Sequence, residues 1–198
     1  MATTLLDLRT KLRALVGDPL AESNTWSDTE CNEAINFAVL NYCEKTDCSY
    51  TEEPATFSVG EAPVPSAYIR IERVIWDGVT LDWSDKDFED AMNRGWRNLS
   101  GTPKRFMVLR GNTIRVVPYD AGNQTIGYIA KPVDLVADDD EVDTLIPEPH
   151  HPYLIYAAAA WLLGKDGDAM DIKKAQEFMQ VFNNLIGATG PEKPETKE

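Results

Sequence analysis

The sequence predicts an α+β protein, a helical bundle built from the two ends of the chain with an antiparallel β-sheet region inserted between them. Three observations carry this. Apolar residues recur at three and four near both ends. They alternate at two through the middle. Two turn dipeptides, Asp77-Gly78 and Gly111-Asn112, punctuate that middle stretch.

Each element follows in order. Leu5, Leu8, Leu12, Leu15 and Val16 share one side of a helix over residues 4–16, with Arg9, Lys11 and Arg13 elsewhere on the wheel. "GDP" at 17–19 stops it. Ser27 and Glu30 have the spacing of a capping box, and Trp26 before them can pack back as a staple. Cys31, Ala34, Ile35, Ala38, Val39 and Tyr42 then mark the core side of a second helix. From Pro54 the period shortens. "ATFSV" alternates, "GEAPVPSAY" turns, and "YIRIERVIWDGVTLDW" folds back at Asp77-Gly78. Ser84 with Asp87 opens a short helix holding Phe88, Ala91 and Met92, ended by Gly95. "KRFMVLRGNTIRVVP" is a second hairpin and "QTIGYIAKPVDL" a further strand, so one sheet of about four or five strands is expected.

Five acids in six residues at 138–143 cannot pack without partners and predict a solvated loop. Pro147, Pro149 and Pro152 suit a first helical turn, which leads into the apolar face of Tyr153, Leu154, Ala157, Ala158, Trp161 and Leu162. "GKDGD" breaks that helix. Asp171 caps a last one bearing Ala175, Phe178, Met179, Phe182, Leu185 and Ile186. The expected organisation is a helical bundle from 1–50 and 145–187, a β-rich insertion over 51–137, an acidic loop over 138–144, and a flexible tail over 188–198.

The net charge is −14, which repels duplex DNA and argues against a generic nucleic-acid binder. The charge is uneven. Arg94, Arg97, Lys104, Arg105, Arg110 and Arg115 lie in a stretch with no acid, so the rest of the chain carries −20. These six are candidate contacts to an acidic surface. The longest apolar run, Tyr153 to Leu163, is too short for a membrane span. No signal-peptide core opens the chain, so cytoplasmic synthesis is expected. Cys31, Cys43 and Cys48 are odd in number and lack C-x-x-C spacing, which argues against a disulfide framework or a zinc site.

Both histidines, His150 and His151, sit at a helix start. Adjacent helical positions point about 100° apart, so the two cannot easily share one ion. They are expected at the rim of the helix packing. There is no G-x-S-x-G, no Walker loop and no G-x-G-x-x-G. Asp77, Asp82, Asp85 and Asp87 read as turn and cap residues. No catalytic, cofactor-binding or metal-binding residue is assigned.

Several weak motifs in one order resemble a known family. "TTLLDLRTKLRALVGDP" and "WSDTECNEAINFAVLNYCEKT" open the chain. Pro65 to Tyr68 leads into the first hairpin. Gly101, Pro103 and Phe106 precede Gly111 to Pro118, and Ile146, Pro147 and His151 begin the last helices. Over about residues 3–187 this resembles the head–tail connector, or adaptor, proteins of tailed bacteriophages. The resemblance implies a structural virion protein without catalysis or cofactor. It implies a homo-oligomeric ring, commonly of twelve copies, beneath the portal protein at the head–tail interface. Such a ring extends the channel through which DNA passes and docks the next connector or tail protein. In some members the C-terminal segment orders against the portal, which makes Gly190, Pro191, Lys193, Pro194 and Lys197 a candidate docking tail. Two rival readings compete. One is another tail-completion or β-rich virion module, using Trp76, Trp83 and Trp96 as exposed contacts. The other is a metal-dependent enzyme using the histidines and the acidic loop.

Overall fold

A computed structural model describes residues 3–18, 25–92, 94–142, 145–165 and 170–189. The helices are α1 Leu5–Val16, α2 Asp28–Thr46, α3 Lys86–Met92, α4 His151–Gly164 and α5 Ile172–Thr189. The strands are β1 Tyr50–Phe57, β2 Glu61–Pro63, β3 Tyr68–Trp76, β4 Val79–Thr80, β5 Asp82–Trp83, β6 Arg105–Leu109, β7 Thr113–Val117 and β8 Gly122–Ala130. The fold is α+β. Its residues fall into two units: 1–48 with 132–198, and 49–131.

In the helical unit, α4 is apolar nearly all round and lies at the centre, against α1, α2 and α5. Its run of alanines lets neighbouring backbones come close. Leu5, Leu8 and Leu12 of α1, Ala34, Ile35 and Ala38 of α2, and Phe182 of α5 complete one core. The helix ends are well satisfied. Thr4 and Asp7 exchange capping-box hydrogen bonds at 3.3 and 3.2 Å, and Ser27 and Glu30 do so at 3.2 and 3.0 Å. Gly17, at φ +78°, closes α1 in the left-handed conformation that costs glycine least. Trp26 is buried with Cys31 in the same core, as its position before the cap predicts. Asp171 accepts the Lys174 amide at 3.0 Å and starts α5.

Three features add to or change the expectations. Arg9 and Arg13, elsewhere on the wheel than the leucines, are buried too, because acids meet them (Asp18 and Asp28 for Arg13; Asp28 and Asp138 for Arg9). The acidic segment is stitched to the start of α1. The carbonyls of Asp138 and Asp140 accept the amides of Leu6 and Leu5, and Asp140 accepts the amides of Val136 and Ala137. Its backbone is therefore fixed, while Asp138, Asp139 and Glu141 keep exposed side chains. Finally, α5 runs to Thr189, two residues into the expected tail.

The strand unit holds two four-stranded sheets rather than one. Their orders are β1-β8-β3-β4 and β2-β7-β6-β5. The chain leaves the first sheet after β4 and joins the second at β5, with buried Leu81 at the step. That step makes β5–β6 a parallel pair in an otherwise antiparallel arrangement. Asp77 and Gly78 both take positive φ in a two-residue turn, as expected of a type I′ hairpin. Gly111 and Asn112 also take positive φ, in the three-residue loop of residues 110–112 between β6 and β7. β1 begins at Tyr50 and tolerates Pro54 because it is an edge strand. Phe57, Val74, Trp76, Phe106, Val116 and Ile126 lie at the heart of the core. Trp76 and Trp96 are buried, which corrects their reading as exposed contacts; Trp83 is exposed.

Candidate functional site

The basic stretch centres on α3, the 3-10 turn Trp96–Asn98 and the β6–β7 hairpin. Asp85, not Ser84, caps α3, its carboxylate accepting the Phe88 amide at 2.7 Å. Ser84 instead donates its hydroxyl to Glu89 at 2.8 Å. Glu89 is fully buried and also accepts from Arg105, Nε at 2.6 Å and Nη2 at 3.1 Å, a bidentate fork. Glu89 thus faces inward, while Lys86 and Asp87 stay exposed. Phe88 and Met92, one turn apart, are left 48% and 72% exposed. Their spacing predicts a shared side but not its direction.

Asp90 organises the next layer. It accepts from Lys86 Nζ at 2.6 Å, Trp96 Nε1 at 2.7 Å and Arg97 Nη1 at 2.9 Å. Lys86 above all, then Trp96 and Arg97, hold its carboxyl well below the usual carboxylate range. Two guanidiniums lie against the Trp96 ring, Arg97 at 4.4 Å and Arg115 at 5.4 Å from its centre. Arg115 is buried. It pairs with Glu61 and donates to the Arg97 carbonyl at 2.7 Å.

The six cations therefore divide. Arg105 and Arg115 serve the fold, and Arg97 is anchored to Asp90 at the surface. Arg94, Lys104 and Arg110 are exposed. A cleft of about 480 Å³ lies between Lys86, Asp87, Trp96, Arg97, Leu109 and Arg110. It offers a ring edge and several cations, a setting for a carboxylate-bearing partner. The buried acid Glu89 and the half-buried Asp90 were not singled out in the sequence, since neither lies inside the basic window they neutralise.

The histidines have structural partners. Burial pushes the Tyr42 phenol up to about 12, so it stays protonated and can donate to His150 Nδ1. His150 also stacks on Tyr153 at 5.2 Å. His151 is buried rather than at the rim, because its ring tucks under the turn that leads into α4. Its Nε2 donates to the Ile146 carbonyl at 2.9 Å. The two rings engage different groups. Among the described residues no three of His, Cys, Asp and Glu converge as a metal site, and no helix is long and apolar enough to cross a membrane. Cys31, Cys43 and Cys48 form no disulfide. The candidate docking residues Gly190, Pro191, Lys193, Pro194 and Lys197 lie outside the described residues.

A family profile described as SU10 adaptor protein matches residues 3–196. The chain belongs to this family. It is a bacteriophage structural adaptor, a virion component that joins other virion components. No curated protein matches the adaptor sequence.

Proposed function

We propose that the adaptor forms a closed ring, of twelve copies, beneath the portal at the head–tail junction. The ring extends the DNA channel and presents its far face to the next connector or tail protein. Family membership supports the adaptor role, and the charge layout supports contacts between unlike surfaces of successive copies. A chain of net charge −14 keeps Arg94, Lys104 and Arg110 exposed on one unit. Like patches on two copies repel, whereas a cationic patch meeting an acidic one attracts, which favours head-to-tail contacts that close into a ring. An acidic channel wall also does not grip passing phosphates. The segment after α5 is proposed to dock on the portal.

Electron microscopy of the adaptor mixed with portal rings tests this. A symmetric ring seated on the portal is expected. The triple variant Arg94→Glu, Lys104→Glu, Arg110→Glu should remain folded by circular dichroism yet lose the ring. Arg105 and Arg115 are unsuitable for that purpose because the monomer uses both. Deletion of residues 188–198 should weaken portal binding. Unaltered binding removes the tail from the proposal, and absence of any ring with the intact chain removes the ring.

A further inference from the structure

We infer that the outer face of α3 is the seat for the segment Val133–Glu141 of a second copy of this chain. The inference rests on the ring reading and names the two surfaces that would join. α3 is inside out for a monomer. Of its three acids Glu89 is turned into the unit and fixed by Arg105 and Ser84, while Asp87 stays exposed beside Phe88 and Met92, which face solvent. A helix so anchored cannot roll to hide them. Arg94 follows Met92 by two residues, and Arg97 and Arg110 line the neighbouring cleft. The vacant face is therefore apolar at Phe88 and Met92, and its border is predominantly cationic, with Lys86, Arg94, Arg97 and Arg110 against the one acid Asp87.

The segment 133–141 has the complementary character. Val133 and Val136 are 83% and 77% exposed, the highest values among the large apolar side chains described. Acids surround them: Asp134, Asp138, Asp139 and Glu141. Its backbone is held in place before any partner arrives. Asn36 binds both the Leu135 amide, at 2.8 Å, and the Leu135 carbonyl, at 3.0 Å. Asp140 holds the next two amides at 2.6 and 2.8 Å. A preformed segment loses little entropy on docking. Beside it is a cleft of about 320 Å³ lined by Val133, Asp134, Leu135, Asp140 and Glu141. Met92 is unbranched and adaptable, the side chain best suited to enter such a cleft. Arg94 and Arg110 would then meet Asp139 and Glu141.

Opposite charge and shared apolar exposure select a second copy as the occupant. Met92 and Val136 both remain open to solvent. Two different patches meeting on successive copies make a heterologous contact, the kind that generates rings.

Disulfide trapping in portal-bound adaptor tests the placement. Met92→Cys with Val136→Cys in one chain should yield, under mild oxidant, a ladder of covalent multimers on a non-reducing gel. Neither single variant should do so, because each residue faces a different one on the next copy. The unaltered chain controls for Cys31, Cys43 and Cys48. Both substituted side chains are exposed, and circular dichroism confirms folding. In parallel, Arg94→Glu with Arg110→Glu should weaken ring formation about tenfold or more, and adding Asp139→Arg with Glu141→Arg should restore it. Rings seen by microscopy without a ladder overturn the seat but leave the ring standing. Dimers from a single variant also overturn it, since they report a self-facing contact. No ring from the unaltered chain overturns both.

Discussion

Replacing Arg13 with methionine should destabilise the helical unit by about 3 kcal/mol, at the lower end of the 3–5 kcal/mol range for removing one partner of a buried ion pair. Arg13 is 1% exposed and its partner Asp18 4%. Nη1 reaches Asp18 at 2.8 Å and Nη2 reaches Asp28 at 2.7 Å. Methionine fills similar volume, so packing loss is small. The cost comes from the anion left behind. Asp28 is 57% exposed on its side chain and can rehydrate, but Asp18 cannot. The amides of Thr25 and Trp26 still donate to Asp18, at 3.1 and 3.2 Å, which is why the lower end applies. Urea unfolding followed by far-UV circular dichroism reads this unit, because every helix but α3 belongs to it.

Two companions sharpen the test. Arg9→Met removes a cation whose acids, Asp28 and Asp138, are both exposed, so it should cost about 1 kcal/mol or less. Arg13→Met with Asp18→Asn removes both buried charges, although the asparagine carbonyl can keep only one of the two amides, which bind different carboxylate oxygens. It should recover part of the single-variant loss. A cost below about 1 kcal/mol for Arg13→Met, or no recovery in the double variant, refutes the assignment of a buried pair.

The other predictions concern acid, the strand unit and thiol chemistry. Glu30 accepts from Lys165 at 2.8 Å and from Ser27, which lowers its carboxyl from 4.5 to about 2. A lowered folded value adds stability above pH 4.5 that disappears as pH falls through 2. The stability gap between the parent and Glu30→Gln, measured by urea titration across that window, should therefore close toward the acid end; a constant gap contradicts it. Arg105→Met leaves fully buried Glu89 without its cation and should cost the strand unit about 3 kcal/mol, read by tryptophan fluorescence during unfolding. A loss near zero means that Glu89 does not rely on Arg105. The sulfurs of Cys43 and Cys48 lie 3.2 Å apart, so mild oxidation should join them within one chain and leave buried Cys31 free. Peptide mapping reads the product, and Cys48→Ser should abolish it.

How much of this was legible in the residues depends on the reach of each signal. The helices at the two ends were readable because spacing, caps and stops agree within a few residues, as at Ser27–Glu30 and Gly17. Both hairpin turns were readable because only a few dipeptides accept two positive φ values in succession. The second sheet was not, because β2, β4 and β5 are two or three residues long and carry no period. Long-range ion pairs were equally invisible. Arg13 meets acids five and fifteen positions away, and Arg115 meets Glu61, so a window of local charge mistakes a folding contact for a surface one. The direction of α3 was hidden for a related reason. Phe88 and Met92 sit on one side whether that side faces core or solvent, and Glu89 decides it only once Arg105 arrives from β6.

That division of labour among the cations bears on assembly. Copies carrying −14 each repel wherever their surfaces meet at random. Screening shortens the repulsion to about 8 Å at physiological salt, so short-range contacts decide which patches can join. Arg9, Arg13, Arg105 and Arg115 are committed to acids of their own chain and cannot offset that repulsion. Arg94, Lys104 and Arg110 are exposed and can, and Arg94 lies two residues beyond Met92. Adding salt should therefore act on two terms of opposite sign, weakening the cation–acid contacts while relieving the general repulsion. The apolar contact of Phe88 and Met92 is the term that salt leaves intact. A ring held this way would tolerate salt better than its charge pairs alone would allow, and substitution of Phe88 and Met92 by serine should expose the difference by making assembly strongly salt-sensitive.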